Sequence, residues 1–208
     1  MATTNEELVD ELTRGGYLKT PTLIEAFREI KREDFVPEDL KEEAYINVPL
    51  PIGFDQTISQ PLTVAFMLEL LLPQPGEKIL DVGAGSGWQS ALLAHAVGEA
   101  GKVVAIERIP ELKEMTEKNL SQYPEIKKRV NIILGDGSKG WPEEAPYDKI
   151  IAAAAANEIP QSWKEQLKTD GLIVAPVGVS VVTLKKITPD EFETKEYYGF
   201  SFVPLVKD

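Results

Sequence analysis

The 208-residue chain contains no cysteine, which excludes a disulfide, a thiolate nucleophile and a sulfur-ligated metal centre. It has one histidine, His95, too few for a histidine-rich metal cluster. Its apolar runs, such as Leu70 to Leu72 with their neighbours, fall far short of the ~20 residues that a membrane-spanning helix requires. Basic charge is also scarce: 22 Lys and Arg stand against 34 Asp and Glu, a formal net charge of -12. Proteins held to nucleic acid through phosphates need a basic footprint, and the lysines here are scattered among acids, so no nucleic-acid partner is expected. Met1 to Glu11 is acidic and polar, unlike a secretory signal. The expectation is a protein of the cytoplasm with neither a membrane partner nor a metal.

What is present is an alternation of strand and helix. The first sixty residues carry 13 acidic and 6 basic side chains and read differently from the rest. Glu6 to Thr13 reads as a short helix ending at Gly15-Gly16, and Thr22 with Glu25 suggests a capping box for a helix through Ile30. Ala44 to Pro61, interrupted by Pro49, Pro51 and Gly53, reads as an ordered loop. After a helix over Leu62 to Leu72, strands are expected at Lys78–Val82, Val103–Ile106, Val130–Leu134, Lys149–Ala153 and Leu172–Val177. Helices fall between them at Ser86–Val97, from Pro110 to about Gln122, and between Pro160 and Leu167. Val181–Ile187 and Phe192–Val206 look like an antiparallel finish. This pattern predicts an α/β fold, a mostly parallel sheet with helices on both faces and an antiparallel C-terminal edge. Ligands of such sheets bind outside the carboxyl ends of the strands, where the strand order reverses.

Ile79 to Gly87 places a Gly-x-Gly-x-Gly turn, Gly83-Ala84-Gly85-Ser86-Gly87, directly after a strand and before a helix. Glycines there let the backbone turn tightly and come close to a ligand, although the same residues could serve the turn alone. The dinucleotide fingerprint needs its last glycine one position later, where this chain has Trp88, so a nicotinamide cofactor is disfavoured. No Gly-Lys-Ser/Thr ending follows, which excludes a triphosphate loop of the nucleotidase kind.

Glu107 ends the second strand, where a carboxylate can accept both hydroxyls of a ribose. Asp136, in Gly135-Asp136-Gly137 after the third strand, could accept from an adenine amine or simply shape a turn. Asp81 adds another carboxylate nearby. Such a set repels a pyrophosphate and suits a cationic ligand. S-adenosyl-L-methionine has a sulfonium, an amine and a ribose without phosphate, and matches both charge and spacing.

With these segments the chain resembles the protein-L-isoaspartate O-methyltransferase family. The resemblance runs from about Leu23 onward and is carried by Leu50 to Pro61, Ile79 to Gln89, Gly135 to Pro142 and Phe202 to Leu205. Phe35-Val36-Pro37 and Gln166 to Gly178 fit it too. It implies a Rossmann-like methyltransferase sheet in residues 61–208, with residues 1–60 as a helical and loop extension packed upon it. It also implies an enzyme that methylates isoaspartyl residues of damaged proteins at their free carboxylate; a monomer is expected. The family's pattern implies Ser59 as the active-site hydroxyl, with Ile58, Val203 and Pro204 beside the peptide. Asp81, Gly83, Ala84, Gly85 and Ser86 would line the methionine end of the cofactor, Glu107 the ribose, and Asp136 with Gly137 the adenine. Gln56 to Gln60 would cover it. Two departures stand out: Asp55 where the family usually has Gly, and Trp88 where it usually has Tyr. Turned inward, Asp55 would oppose a substrate carboxylate.

The chemistry suits a chain so poor in catalytic side chains. A carboxyl with a reference pKa of about 4 is ionised at neutral pH and needs no general base to attack a methyl group. Ser59 would orient it, the competing role being a cap on the helix that starts near Pro61. For amino-base methylation an Asn/Asp-Pro-Pro-Tyr/Phe cluster would be expected after the fourth strand, and Ala152 to Ala156 stands there instead. A methyltransferase acting on a small molecule and a non-catalytic module binding cofactor or modified peptides are the remaining alternatives.

Overall fold

Strand–helix alternation resolves into a seven-stranded sheet in the computed structural model, which describes residues 2–206. Helices α1 (Asn5–Arg14) and α2 (Pro21–Glu29) lead through short 3-10 turns to a hairpin, β1 (Leu50–Gly53) and β2 (Gln56–Ile58). Then follow α3 (Pro61–Leu71), β3 (Lys78–Val82), α4 (Trp88–Val97), β4 (Lys102–Glu107), α5 (Pro110–Leu120), α6 (Pro124–Lys127) and β5 (Val130–Leu134). The chain finishes with β6 (Tyr147–Ala152), α7 (Gln161–Gln166), β7 (Leu167–Val177), β8 (Ser180–Lys186) and β9 (Phe192–Tyr198). The sheet order is β5-β4-β3-β6-β7-β8-β9, with β5 to β7 parallel and β8 and β9 antiparallel.

Residue parity assigns the two faces. Ile79, Val103, Ile151 and Val174 pack into one apolar cluster, and their neighbours Leu80, Val104, Ile150 and Ile173 pack into the other. This period-two split, apolar on both sides, is what a covered parallel sheet requires. The first face carries α1 to α6. The second is closed by Trp163 of α7 and by Trp141 and Tyr147. From β3 the chain winds outward through β4 to β5, then returns to β6 on the other side. The reversal therefore falls between the carboxyl ends of β3 and β6.

Four expectations need correction. Helix α2 starts at Pro21 behind Thr20, not at a Thr22–Glu25 box, because Glu69 of α3 takes the free amides of Lys19 and Thr20 at 2.6 and 2.7 Å. The stretch read as a loop holds the β1–β2 hairpin, whose turn puts Phe54 and Asp55 both at positive φ. Helix α4 begins two residues late because Gly87 is left-handed. Strand β9 stops at Tyr198, since Gly199 turns the chain at φ 97°. The tail then lies parallel to the segment after β6, with Ala155 donating to Val203 at 2.8 Å and Leu205 donating to Ala155 at 2.7 Å.

Candidate active site

Three adjoining cavities lie at the reversal point, and Thr57 and Ala153 line all three. The first runs along the sheet edge past Gly83, Gly85, Glu107, Gly135 and Gly137 to the tail at Val203–Val206, with about 670 Å³ of empty space. A second opens towards solvent between Ser59, Gln60, Thr63 and the aromatic tail residues Phe200 and Phe202. The smallest joins them beneath Ser59, against Ala84, Ser86 and Gln89.

The glycine loop wraps the end of β3, with Gly83, Gly85 and Gly87 all at positive φ, a conformation that costs a side-chain-bearing residue about 1–2 kcal/mol. Its backbone is braced from α5. Thr116 Oγ1 donates to the Gly85 carbonyl at 2.9 Å, and Asn119 Nδ2 donates to the Ser86 carbonyl at 2.9 Å. Sequence reasoning missed both residues, which lie about thirty positions further along an unremarkable polar helix.

Glu107 is 5% exposed and lines the sheet-edge cavity. Its Oε2 accepts from the Gly85 amide at 2.9 Å, and Oε1 accepts from the amides of Arg108 and Ile109, each at 2.9 Å. Three backbone donors fix the carboxylate and leave lone pairs for a ligand's hydroxyls. Gly137 also lines the cavity, and a Cβ there would stand 2.5 Å from Val82 Cγ1, so only glycine fits. Its loop is clamped by α7: Trp163 Nε1 donates to the Gly137 carbonyl at 2.8 Å, and Gln166 Nε2 donates to the Lys139 carbonyl at 2.8 Å.

Two of the proposed cofactor carboxylates are engaged elsewhere. Asp81 is fully buried on the Ile79 face of β3, accepting from Gln89 Nε2 at 2.7 Å and Ser90 Oγ at 2.6 Å. Burial pushes its carboxyl up to about 6 despite those two bonds, with Glu107 repelling it further. It holds the start of α4 to the strand and does not line the cavities, so it supports the glycine loop from beneath. Asp136 caps its own turn, accepting from the Ser138 amide at 2.9 Å and pairing with Lys139 at 3.3 Å. Here the turn-shaping role is realised, while the flanking Gly135 and Gly137 reach the cavity.

On the opposite side, Ser59 faces two of the cavities. Helix α3 is capped by Gln60 without a side-chain bond, so the competing capping role for Ser59 is not realised. Ile58 buries its side chain in the core and borders the smallest cavity. Val203 lines both larger cavities and Pro204 the sheet-edge one. Phe200 stacks on Phe66 with centroids 5.1 Å apart, and with Phe202 it both packs against the core and lines the second cavity. Asp55 is exposed at the hairpin turn and lines none of these cavities, which removes the concern about its charge. His95 lies near the far end of α4, bonded to Glu29 at 3.0 Å. Trp141 packs against the second face of the sheet and lines none of these cavities.

The sequence profile described as protein-L-isoaspartate(D-aspartate) O-methyltransferase matches residues 3–208. A protein-L-isoaspartate O-methyltransferase of Methanopyrus kandleri is 44% identical over 205 residues, covering 97% of this chain and 90% of its own. Among solved structures, one named protein-L-isoaspartate O-methyltransferase superposes with a TM-score of 0.88 at 27% identity, over 98% of this chain and 66% of the other. A Plasmodium falciparum protein-L-isoaspartate O-methyltransferase, solved with S-adenosyl-L-homocysteine, superposes over the whole of both chains. Its TM-score is 0.90 at 23% identity, a likeness of fold.

Proposed function

The chain belongs to the protein-L-isoaspartate(D-aspartate) O-methyltransferase family, and from that premise we propose how its cleft carries out methyl transfer from S-adenosyl-L-methionine to the carboxylate of isoaspartyl residues. The reading takes residues 61–208 as the methyltransferase domain and residues 1–60 as a helical and loop extension packed on it, whose stretch from Gln56 to Gln60 lines the cleft. One observation carries this reading: the cavity along the glycine loop and Glu107 meets the solvent-facing cavity at Thr57 and Ala153, beside Ser59.

The cleft suits the cofactor. Glycine backbone allows close approach, Glu107 presents a fixed acceptor for a ribose, and Ile106, Ile109 and Leu112 supply apolar lining for a base. When bound, S-adenosyl-L-methionine supplies an electrophilic methyl on a cationic sulfur. Gly83, Ala84, Gly85 and Ser86 line its methionine end, with Asp81 bracing them. Glu107 takes the ribose, and Gly135 and Gly137 form the adenine rim on the turn that Asp136 caps.

Ser59 donates to the non-attacking oxygen of the substrate carboxylate, leaving the other free to form the O–C bond as the S–C bond breaks. No proton has to move beforehand. The reaction cancels a negative and a positive charge, so a site that strips water from the carboxylate favours it. The residues lining the solvent-facing cavity carry no charged side chain, in keeping with that demand. Val203, Pro204 and the Ile58 backbone border the peptide. The reading takes the working unit as a cytoplasmic monomer with isoaspartyl peptides, not nucleic acid, as partner, in accord with the net charge of -12.

The test is transfer of labelled methyl to paired peptides differing only in an isoaspartyl or aspartyl linkage. Methylation of the isoaspartyl peptide with little of its counterpart is expected. Equal labelling of both contradicts the selectivity, and cofactor binding without labelling contradicts the enzyme.

A further inference from the structure

Arg32 is a fully buried cation with no carboxylate partner among the described residues. Its Nη1 donates to the carbonyls of Ala44 at 2.7 Å and Ile46 at 3.3 Å. Its Nη2 donates to Val48 at 2.9 Å, to Ser59 at 3.1 Å and, at the limit, to Ile58 at 3.5 Å. The acceptors come from both ends of the segment that carries the hairpin. The guanidinium also lies 5.5 Å from the centroid of Trp88, the first residue of α4 after the glycine loop, and the indole donates to the Ile30 carbonyl at 3.3 Å.

A buried, unpaired charge is costly, and replacing it with an apolar side chain is often no loss to a fold. Its presence calls for a reason besides packing. The planar fork of a guanidinium can hold several acceptors in one geometry, as an ammonium cannot. Burial draws the group down to about 9, which leaves it charged at neutral pH.

We propose that Arg32 is a positioning residue for methyl transfer, gathering the carbonyls that flank the hairpin and stacking on Trp88 so that Ser59 is held in register with the glycine loop. It touches neither reactant. Through Ser59 it sets the approach of the carboxylate to the methyl group, and its positive charge, bonded to the carbonyl of that same serine, eases the entry of an anion into the cleft. The inference rests on the assignment of Ser59 made above.

The experiment is a mutant cycle of Arg32→Met, Ser59→Ala and the double variant. It reads kcat and KM on an isoaspartyl peptide, the dissociation constant of S-adenosylhomocysteine, and thermal unfolding. A misplacement of about 1 Å costs roughly 100-fold in rate, so Arg32→Met is expected to lose about that factor in kcat/KM. Its cofactor affinity should stay within about twofold of wild type, and the double variant should fall no more than about threefold below the worse single one. Arg32→Lys keeps the charge but not the fork and should be intermediate.

Wild-type kcat/KM in Arg32→Met, losses that multiply in the double variant, or a parallel loss of cofactor affinity each overturn the proposal. Full activity in Arg32→Lys overturns the part played by the fork. Should Arg32→Met fail to fold, the cycle of Arg32→Lys with Ser59→Ala tests additivity in its place. Unchanged turnover in Ser59→Ala identifies a different failure, that of the Ser59 assignment, and the proposal falls with it.

Discussion

The two walls of the cleft are built on different physical plans. The sheet wall is made of strand ends and the loops that leave them, and it is held by many separate bonds: Glu107 accepts from Gly85, Arg108 and Ile109, Thr116 and Asn119 brace the glycine loop, and Trp163 and Gln166 clamp the loop at Gly137. The cover is the segment from Ala44 to Gln60, which holds a short hairpin; one buried guanidinium collects five of its carbonyls, and Asn47 adds bonds to Gln60 and to the Leu62 amide. A wall held by many separate bonds is set before any ligand arrives, as suits binding. A wall gathered largely on one guanidinium can be tuned separately, as suits the orientation of a second reactant.

Substitutions in the sheet wall should therefore change cofactor affinity first. The largest effect is expected for Glu107→Ala, which strands three amides and removes the ribose acceptor. Calorimetry should show S-adenosylhomocysteine binding weakened by about 100-fold, or ~3 kcal/mol. A loss of kcat at saturating cofactor as large as the loss of affinity would break the division between the walls.

Asp81 offers a pH-dependent test of the support beneath that wall. Its carboxyl is raised from 3.8 to about 6, so between those values the folded protein binds the proton more tightly than the unfolded chain does. The resulting cost to stability is absent below about pH 4, grows as pH rises and is complete above about pH 6. Asp81→Asn should remove it, on the order of 3 kcal/mol between the two limits. Denaturant unfolding of both proteins at pH 4, 5 and 7 measures it, and a difference that stays flat with pH contradicts the assigned burial.

The smallest effect belongs to Asp55→Gly in the cover. Relief of a positive φ should raise stability by no more than about 1 kcal/mol. Turnover should stay within about twofold, as expected of an exposed surface residue. A clear gain in kcat/KM would extend the substrate site to the hairpin tip.

How much of this was legible follows the same division. The bounds of β3 and β5, the glycine turn and the strand-end place of Glu107 are local signals of periodicity and glycine spacing, and the fold agrees with them. Parity could also have placed Asp81: two residues from Ile79, it shares that face and points under α4 instead of into the cleft. The hairpin escaped notice because its turn residues, Phe54 and Asp55, lack the glycine that marks a tight turn. Arg32 sits in a charge-rich stretch that reads as solvated surface, and only the tertiary fold buries it. Phe200 and Phe202 alternate as strand residues do, yet the turn at Gly199 has already taken the chain off the sheet.

The assignment of the two walls to two reactants is tested most directly by Ser59→Ala, with S-adenosylhomocysteine affinity and isoaspartyl-peptide turnover measured on the same preparation. Affinity within about twofold of wild type and kcat reduced by about 100-fold are the predicted results. Weakened cofactor binding with kcat preserved at saturating cofactor would contradict the assignment.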